Sequence, residues 1–526
     1  MNRSLFIGSL MLTTIGMSAQ NKANITLHVD DASQIIPTEI YGQFAEHLGS
    51  CIYGGLWVGE GSDIPNTNGY RTDVLNALID LKVPVLRWPG GCFADEYHWM
   101  DGIGPKESRP KMVNNNWGGT IEDNSFGTHE FLNLCELLGC EPYISGNVGS
   151  GSVEELAKWI EYMTSDGDSP MARLRRQNGR DKAWNVKYLG VGNESWGCGG
   201  NMRPEYYSDL YRRYSTYCRN YDGNRLFKVA SGASDYDFNW TDVLMQQVGH
   251  RMDGLSLHYY TVSGWDGSKG SATKFDANRY YWTLAKCFEV EDVIQKHCEI
   301  MDRYDPQKRI HLLLDEWGTW WDVEPGTNPG HLFQQNTLRD AFVAALSFDI
   351  FHKYTDRLKM ANIAQIVNVL QSMILTNNDK MVLTPTYHLF KMYNVHQNAT
   401  FIPLNINCEI VDLKANGIPR HNMKSREIMP MVSATASTDD NGFIHISISN
   451  IDLENKLEVT VDLGDVKAEK VTGDILTSKY VFDHNTFDNP NLVTTAPFSG
   501  AKLKKNTLSV TLPAKSIVTL KLECRN

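Results

Sequence analysis

Apart from its first twenty residues, the 526-residue chain has no apolar run approaching the roughly eighteen residues of a membrane-spanning helix, so no membrane span is expected. Positive charge is in deficit: 50 Lys and Arg stand against 62 Asp and Glu, a formal net charge of −12. That balance argues against nucleic acid or an anionic membrane surface as the main partner and suits a neutral substrate. The ten cysteines, at 51, 92, 135, 140, 198, 218, 287, 298, 408 and 524, contain no CxxC and no Cys/His cluster with zinc spacing. Most read as small buried hydrophobes. A Gly-rich phosphate turn after the first strand is missing, which weakens the case for an open doubly wound sheet. There is no short-period repeat and no long linker.

What is present is bulk. A chain of 526 residues exceeds one ordinary core, so two domains are expected, one of them large. Hydrophobic content of 42% with 21% charged residues fits a globular protein. Thirteen Trp and twenty-three Tyr supply flat apolar faces on which sugars stack, although most of them belong in a core. The N-terminus reads as an export signal: Arg3, an apolar stretch from Leu5 to Gly16, then Met17-Ser18-Ala19 before Gln20. Residues 1–19 are therefore expected to be a signal peptide, and the product exported, periplasmic or secreted.

From about residue 39 to 390, strand-like and helix-like segments alternate. Strands are expected at Glu39–Phe44, Val83–Trp88, Glu141–Gly146, Val186–Gly192, Leu226–Ser231, Gly254–Tyr259, Ile310–Glu316 and Ile363–Val369. Helices are expected at Thr72–Leu81, with Val74, Leu75, Leu78 and Ile79 on one face, and at Val153–Thr164, Pro204–Tyr217, Tyr280–Arg303 and Phe333–Tyr354. Pro204 suits a first helical turn. Eight strands separated by helices predict an α/β fold, a (β/α)8 TIM barrel over 39–390. Residues 391–526 change texture. Short alternating runs, from Val432–Thr435 to Ser516–Leu522, with polar turns such as Asp439-Asp440-Asn441-Gly442, predict an all-β sandwich domain. The segment 20–38, with its strand Asn24–Val29, precedes the barrel and is expected to pair into that sandwich.

In such a barrel the C-terminal strand ends carry the chemistry. Two ends stand out: Gly190-Val191-Gly192-Asn193-Glu194-Ser195-Trp196 and Leu312-Leu313-Leu314-Asp315-Glu316-Trp317-Gly318. An ionised carboxylate at the end of a buried strand is costly unless it is paired or used. Two of them suggest facing carboxylates, the equipment of a glycoside hydrolase, in which one protonates the leaving oxygen and the other attacks or activates water. The other ends add Glu46 and His47, Arg87 to Phe93, His258-Tyr259-Tyr260 and Gln365. Strand alternation sends Asp315 and Glu316 to opposite sides, and pattern alone does not choose which faces inward. Arg87 and His258 read as supporting groups, a guanidinium near a carboxylate keeping it ionised.

Together with Ile52-Tyr53-Gly54-Gly55, Arg87-Trp88-Pro89-Gly90-Gly91, Gly192-Asn193-Glu194, Asp315-Glu316-Trp317 and Ala364-Gln365-Ile366-Val367-Asn368, the sequence resembles glycoside hydrolase family 51, the α-L-arabinofuranosidases, over nearly all of the chain after residue 19. The resemblance implies a retaining, exo-acting enzyme with Glu194 as acid/base and Glu316, rather than Asp315, as nucleophile. It implies that Glu46, Asn193 and Gln365 hold sugar hydroxyls, that Tyr260 stands next to the nucleophile, and that Trp99 forms a pocket wall. No metal or organic cofactor is implied. Arabinose-containing plant polysaccharides and oligosaccharides are the implied substrates, and a homo-oligomer is a possibility the family offers. Many family members carry Asn where this chain has Cys92, a weak hydrogen-bond partner. A Cys92–Cys198 disulfide and two free thiols both remain open. Beside this reading stand endo-β-glucanase or β-xylosidase activity in the same family, and a non-catalytic sugar-binding protein. A deep pocket closed by the loops after strands two and six favours exo action; an open groove favours endo.

Overall fold

A computed structural model of the chain describes residues 21–417 and 425–524; the expected signal peptide, 1–19, lies outside the described residues. Eight parallel strands close into a barrel in sequence order: Gly42–Phe44, Val85–Trp88, Glu141–Gly146, Tyr188–Val191, Phe227–Ser234, Gly254–Thr261, His311–Thr319 and Leu358–Ala364. The last strand pairs with the first through Asn362 to Gly42 and Ala364 to Phe44. Every residue of strands one, two, four and six is buried, as expected for strands filled from within and covered by helices outside.

Local chemistry accounts for the helices. Helix Thr72–Leu81 buries Val74, Leu75, Ala77, Leu78 and Leu81 and stops where Lys82 turns left-handed at φ 57°. Ile79, expected on the buried face, lies at its edge and is exposed; Leu81 takes the inward place. Ser152 caps Val153–Thr164 by accepting from the Glu155 amide, and Pro204 opens Pro204–Tyr217.

The eighth strand differs from its expected place. It runs over Leu358–Ala364, not Ile363–Val369. The β-branched stretch Ile366-Val367 reads as a strand, yet Asn368 and Leu370 take left-handed backbone at φ 62° and 51°, which an extended strand excludes. The true strand is masked by Lys359 and Asn362.

The remaining strands form a sandwich of a five-stranded and a six-stranded sheet. Leu457–Asp462 alternates buried Leu457, Val459 and Val461 with exposed Glu458, Thr460 and Asp462. The early strand, Lys22–Leu27, lies in the five-stranded sheet, parallel to Leu457–Asp462 and antiparallel to Leu404–Asn407. Barrel and sandwich join at the fully buried helix Leu338–Phe351, where Asp349 accepts from the Ser433 hydroxyl at 2.6 Å and His352 bridges Tyr41 and Thr435.

Candidate active site

The C-terminal strand ends surround a cavity of about 510 Å³ lined by Glu46, Cys92, Trp117, Glu194, Tyr260, Trp265, Glu316, Trp320 and Gln365, among others. Strand four ends in a tight turn. Gly192 at φ 91° meets the need for left-handed backbone, and Glu194 itself sits at φ 29°, a strained position for a residue with a side chain. Two partners hold the turn. The Asn193 amide donates to Asp95 Oδ2 at 3.2 Å, and the Ser195 amide donates to the Ser231 hydroxyl at 3.1 Å.

Strand seven brings a correction to simple alternation. Its pairing with strand six steps from Leu313–Ser256 to Glu316–His258, and its pairing with strand eight from Leu314–Ala361 to Trp317–Ile363. Strand seven thus carries one extra residue, a bulge. The bulge resets the alternation, so Asp315 and Glu316 both meet Arg87 and His258 instead of pointing to opposite sides.

Arg87 is the hub. Its Nη1 donates to Glu316 Oε1 at 2.9 Å, its Nη2 donates to Asn193 Oδ1 at 2.5 Å, and its Nε lies 3.6 Å from Asp315 Oδ2. Tyr143 donates to that same Asp315 oxygen at 2.7 Å. Despite full burial, Arg87 and His258 hold the Asp315 carboxyl below the ordinary range. His258 Nδ1 donates to Glu194 Oε1 at 2.7 Å and lies 3.4 Å from Glu316 Oε2; its Nε2 lies 3.2 Å from Asp315 Oδ1. Burial alone would favour a neutral ring, but Glu316, Asp315 and Glu194 raise it to about 10, so the ring is an imidazolium at neutral pH. Burial pushes the Glu316 carboxyl upward; the His258 cation opposes this, Glu194 adds to it, and Arg87 opposes it again. Tyr260 donates to Glu316 Oε2 at 2.9 Å and, buried among carboxylates, keeps its proton.

One oxygen each from Glu194 and Glu316 and one ring nitrogen of His258 lie within 4.8 Å of one another. Glu46 sits opposite, accepting from the Phe93 amide, the Trp117 indole and the Gln365 amide at 2.9–3.0 Å. Burial, helped by Glu316, raises its carboxyl to about 7. Gln365 Oε1 is buried without a protein partner and remains free to accept.

Of the residues singled out from the sequence, Glu46, Arg87, Cys92, Asn193, Glu194, His258, Tyr260, Glu316 and Gln365 converge here. Trp99 does not. Its indole is buried, parallel to Trp159 with ring centroids 6.2 Å apart, and it donates to the Glu155 carbonyl at 3.0 Å. The wall position falls to Trp117, in the long loop after strand two, and to Trp265, half exposed in the loop after strand six. Sequence reasoning missed both because neither ends a strand. Cys92 and Cys198 are disulfide-bonded, which resolves the alternative left open above. Asp95, also missed, is buried under the site, accepting from the amides of Val148, Gly149 and Asn193.

Paired carboxylates across the mouth of an eight-stranded parallel barrel define the class as barrel glycoside hydrolases. Residues 77–278 match the family described as the alpha-L-arabinofuranosidase 1 domain, and residues 315–516 match the alpha-L-arabinofuranosidase C-terminal domain. The chain belongs to the α-L-arabinofuranosidases of glycoside hydrolase family 51. A Bacteroides ovatus protein named intracellular exo-alpha-L-arabinofuranosidase is 72% identical over 524 residues, 99% of this chain and 100% of the relative. The crystal structure of the GH51 arabinofuranosidase from Xanthomonas axonopodis pv. citri superposes with a TM-score of 0.92 at 49% identity, covering 96% of this chain and 100% of that one. An arabinose complex of the Thermotoga maritima α-L-arabinofuranosidase gives 0.81 at 30% identity over 95% of this chain and 99% of that one.

The Bacteroides ovatus relative corrects one expectation. It is named intracellular although it matches this chain over nearly its whole length, so the expected signal peptide and exported, periplasmic or secreted product are overturned. The apolar stretch behind that expectation is short and interrupted by Ser9, Thr13 and Thr14, so its composition does not separate an export signal from an ordinary N-terminal segment.

Proposed function

We propose that the chain is a retaining, exo-acting α-L-arabinofuranosidase that removes terminal arabinofuranose from plant arabinan, arabinoxylan and arabino-oligosaccharides. The observation that carries the reading is the carboxylate spacing. Oxygens of Glu194 and Glu316 within 4.8 Å suit the roughly 5–5.5 Å separation of retaining enzymes and leave no room for the water of inverting ones.

In this reading Glu316 attacks the anomeric carbon while Glu194 protonates the leaving oxygen. Arg87 on Oε1 and Tyr260 on Oε2 fix the nucleophile's orientation and favour its ionised form. His258 occupies Glu194 Oε1, so the transferred proton belongs on Oε2. Glu194 then deprotonates water in the second step. Asn193, its carbonyl oxygen engaged by Arg87, offers its amide protons to the sugar's 2-hydroxyl, a bond that tightens in the transition state. Glu46 and Gln365 hold the remaining hydroxyls.

Exo action is supported by the lining: Trp117 and Trp265, from the loops after strands two and six, line the same cavity as the paired carboxylates. The test is a panel of aryl glycosides. The aryl α-L-arabinofuranoside is expected to be cleaved far faster than the β-glucoside or β-xyloside, and a clear preference for either of those would sink the assignment.

A further inference from the structure

Cys92 follows strand two and Cys198 follows strand four, so their sequence separation of 106 hides any metal spacing. At the rim their sulfurs are bonded, with the Cα atoms 5.5 Å apart. Glu194 Oε2 lies 3.9 Å from Cys92 Sγ and 3.5 Å from Cys198 Sγ. A bonded sulfur carries no hydrogen, so neither contact is a hydrogen bond; three ligand-type atoms converge, all within 4.8 Å of one another. Zinc–sulfur bonds of about 2.3 Å and zinc–oxygen bonds of about 2.1 Å set tetrahedral edges of roughly 3.6 Å for S···O and 3.8 Å for S···S. Both S···O distances already have nearly that length. Only the sulfur–sulfur edge has to open, and reduction opens it.

We propose that the reduced enzyme binds one thiophilic divalent cation of the Zn²⁺ class through Cys92, Cys198 and Glu194, and that this cation silences turnover. Two low-molecular-weight thiols supply the two electrons and two protons that convert the disulfide to two thiols, and they leave joined as their own disulfide. The cation then displaces both thiol protons, together with the Glu194 proton when that carboxyl carries one. Three protein ligands leave the fourth position for water from the cavity. Access is provided by Cys198, which is exposed. Asn193 Nδ2, 4.0 Å from Cys198 Sγ, offers a donor to the thiolate. In a reducing compartment, where structural disulfides are rare, the dithiol is the resting form and the site is open to metal.

Silencing rests on Glu194 being the acid/base, because the cation occupies the oxygen assigned to the transferred proton. Metal binding is therefore read without turnover. The full-length protein, reduced and desalted without oxygen, is titrated with Co²⁺. The expected result is one equivalent bound, with a thiolate-to-cobalt charge-transfer band and tetrahedral d–d bands, absent from the oxidised protein and lost in Cys198→Ser. Zn²⁺ should displace the cobalt and lower turnover of the reduced enzyme on an unactivated substrate by about 10²-fold or more, the weight of lost general acid catalysis, with recovery on chelation. No band in the reduced wild type, or the same band in Cys198→Ser, would overturn the site; the comparison of reduced with oxidised wild type holds even if the variant folds poorly. A bound metal that leaves turnover unchanged would overturn the silencing. Failure of the acid/base assignment is read separately, from the azide products of metal-free Glu194→Ala.

Discussion

Glu194→Ala separates the two carboxylates because the structure leaves the nucleophile's supports in place. Arg87 and Tyr260 hold Glu316 independently of Glu194, and His258 keeps its 3.4 Å contact with Glu316 Oε2. What is lost is proton transfer, worth about 10²–10⁴-fold, or about 2.7–5.4 kcal/mol at 1.36 kcal/mol per decade. That loss should appear in full on alkyl or unactivated aryl arabinofuranosides. A dinitrophenolate leaves without a proton, so on that substrate glycosylation should slow less than about tenfold, far less than the general-acid range. The variant should then stall, since water has lost its base. Azide needs no base and should restore turnover. It attacks the β-linked glycosyl-enzyme from the opposite face, giving the α-arabinofuranosyl azide. In Glu316→Ala, azide can only replace the nucleophile, and any product should be the β-azide. Rates come from released phenolate and configuration from proton NMR of the azides. A β-azide from Glu194→Ala with an α-azide from Glu316→Ala would reverse the two roles and refute the reasoning.

The two tryptophans should behave differently. Trp117→Ala should raise KM, because its indole holds Glu46 and lines the cavity, whereas Trp99→Ala should leave KM alone and cost about 3–5 kcal/mol of stability, read by denaturant unfolding, because it empties a core site. The His258 imidazolium gives a pH signature. With its folded pKa raised to about 10, its stabilisation is complete below the unfolded value near 6.5 and fades as pH rises through 10. Thermal midpoints measured from about pH 7 to 10 should therefore fall more steeply in the wild type than in His258→Gln, and equal slopes would contradict the charged ring.

Most of the barrel was legible because most of its strands are compact apolar runs and helices such as Thr72–Leu81 and Val153–Thr164 bury one face at a 3.6-residue period. Strand eight was misplaced because local composition favoured Ile366-Val367, while closure against Gly42–Phe44 selected Leu358–Ala364. In the site, strand-end residues were legible because a barrel converges them. The orientation of Asp315 was not, since a bulge is a property of pairing and leaves no mark in one strand's alternation. Trp117 and Trp265 come from loops whose paths no periodicity encodes, and Trp99 was misplaced through resemblance alone. The Cys92–Cys198 pair was visible only as two cysteines beside strand ends four and two, with nothing local to say that they bond.

The strand Lys22–Leu27 is made early in synthesis, yet its parallel neighbour is Leu457–Asp462. A ribosome moving from the N-terminus delivers the entire barrel before that neighbour emerges. Until then one side of Lys22–Leu27 exposes unpaired amides and carbonyls, flanked by apolar Ala23, Ile25 and Leu27. This strand is thus completed only late in synthesis, after the whole barrel, and chaperone occupancy during translation should concentrate on it.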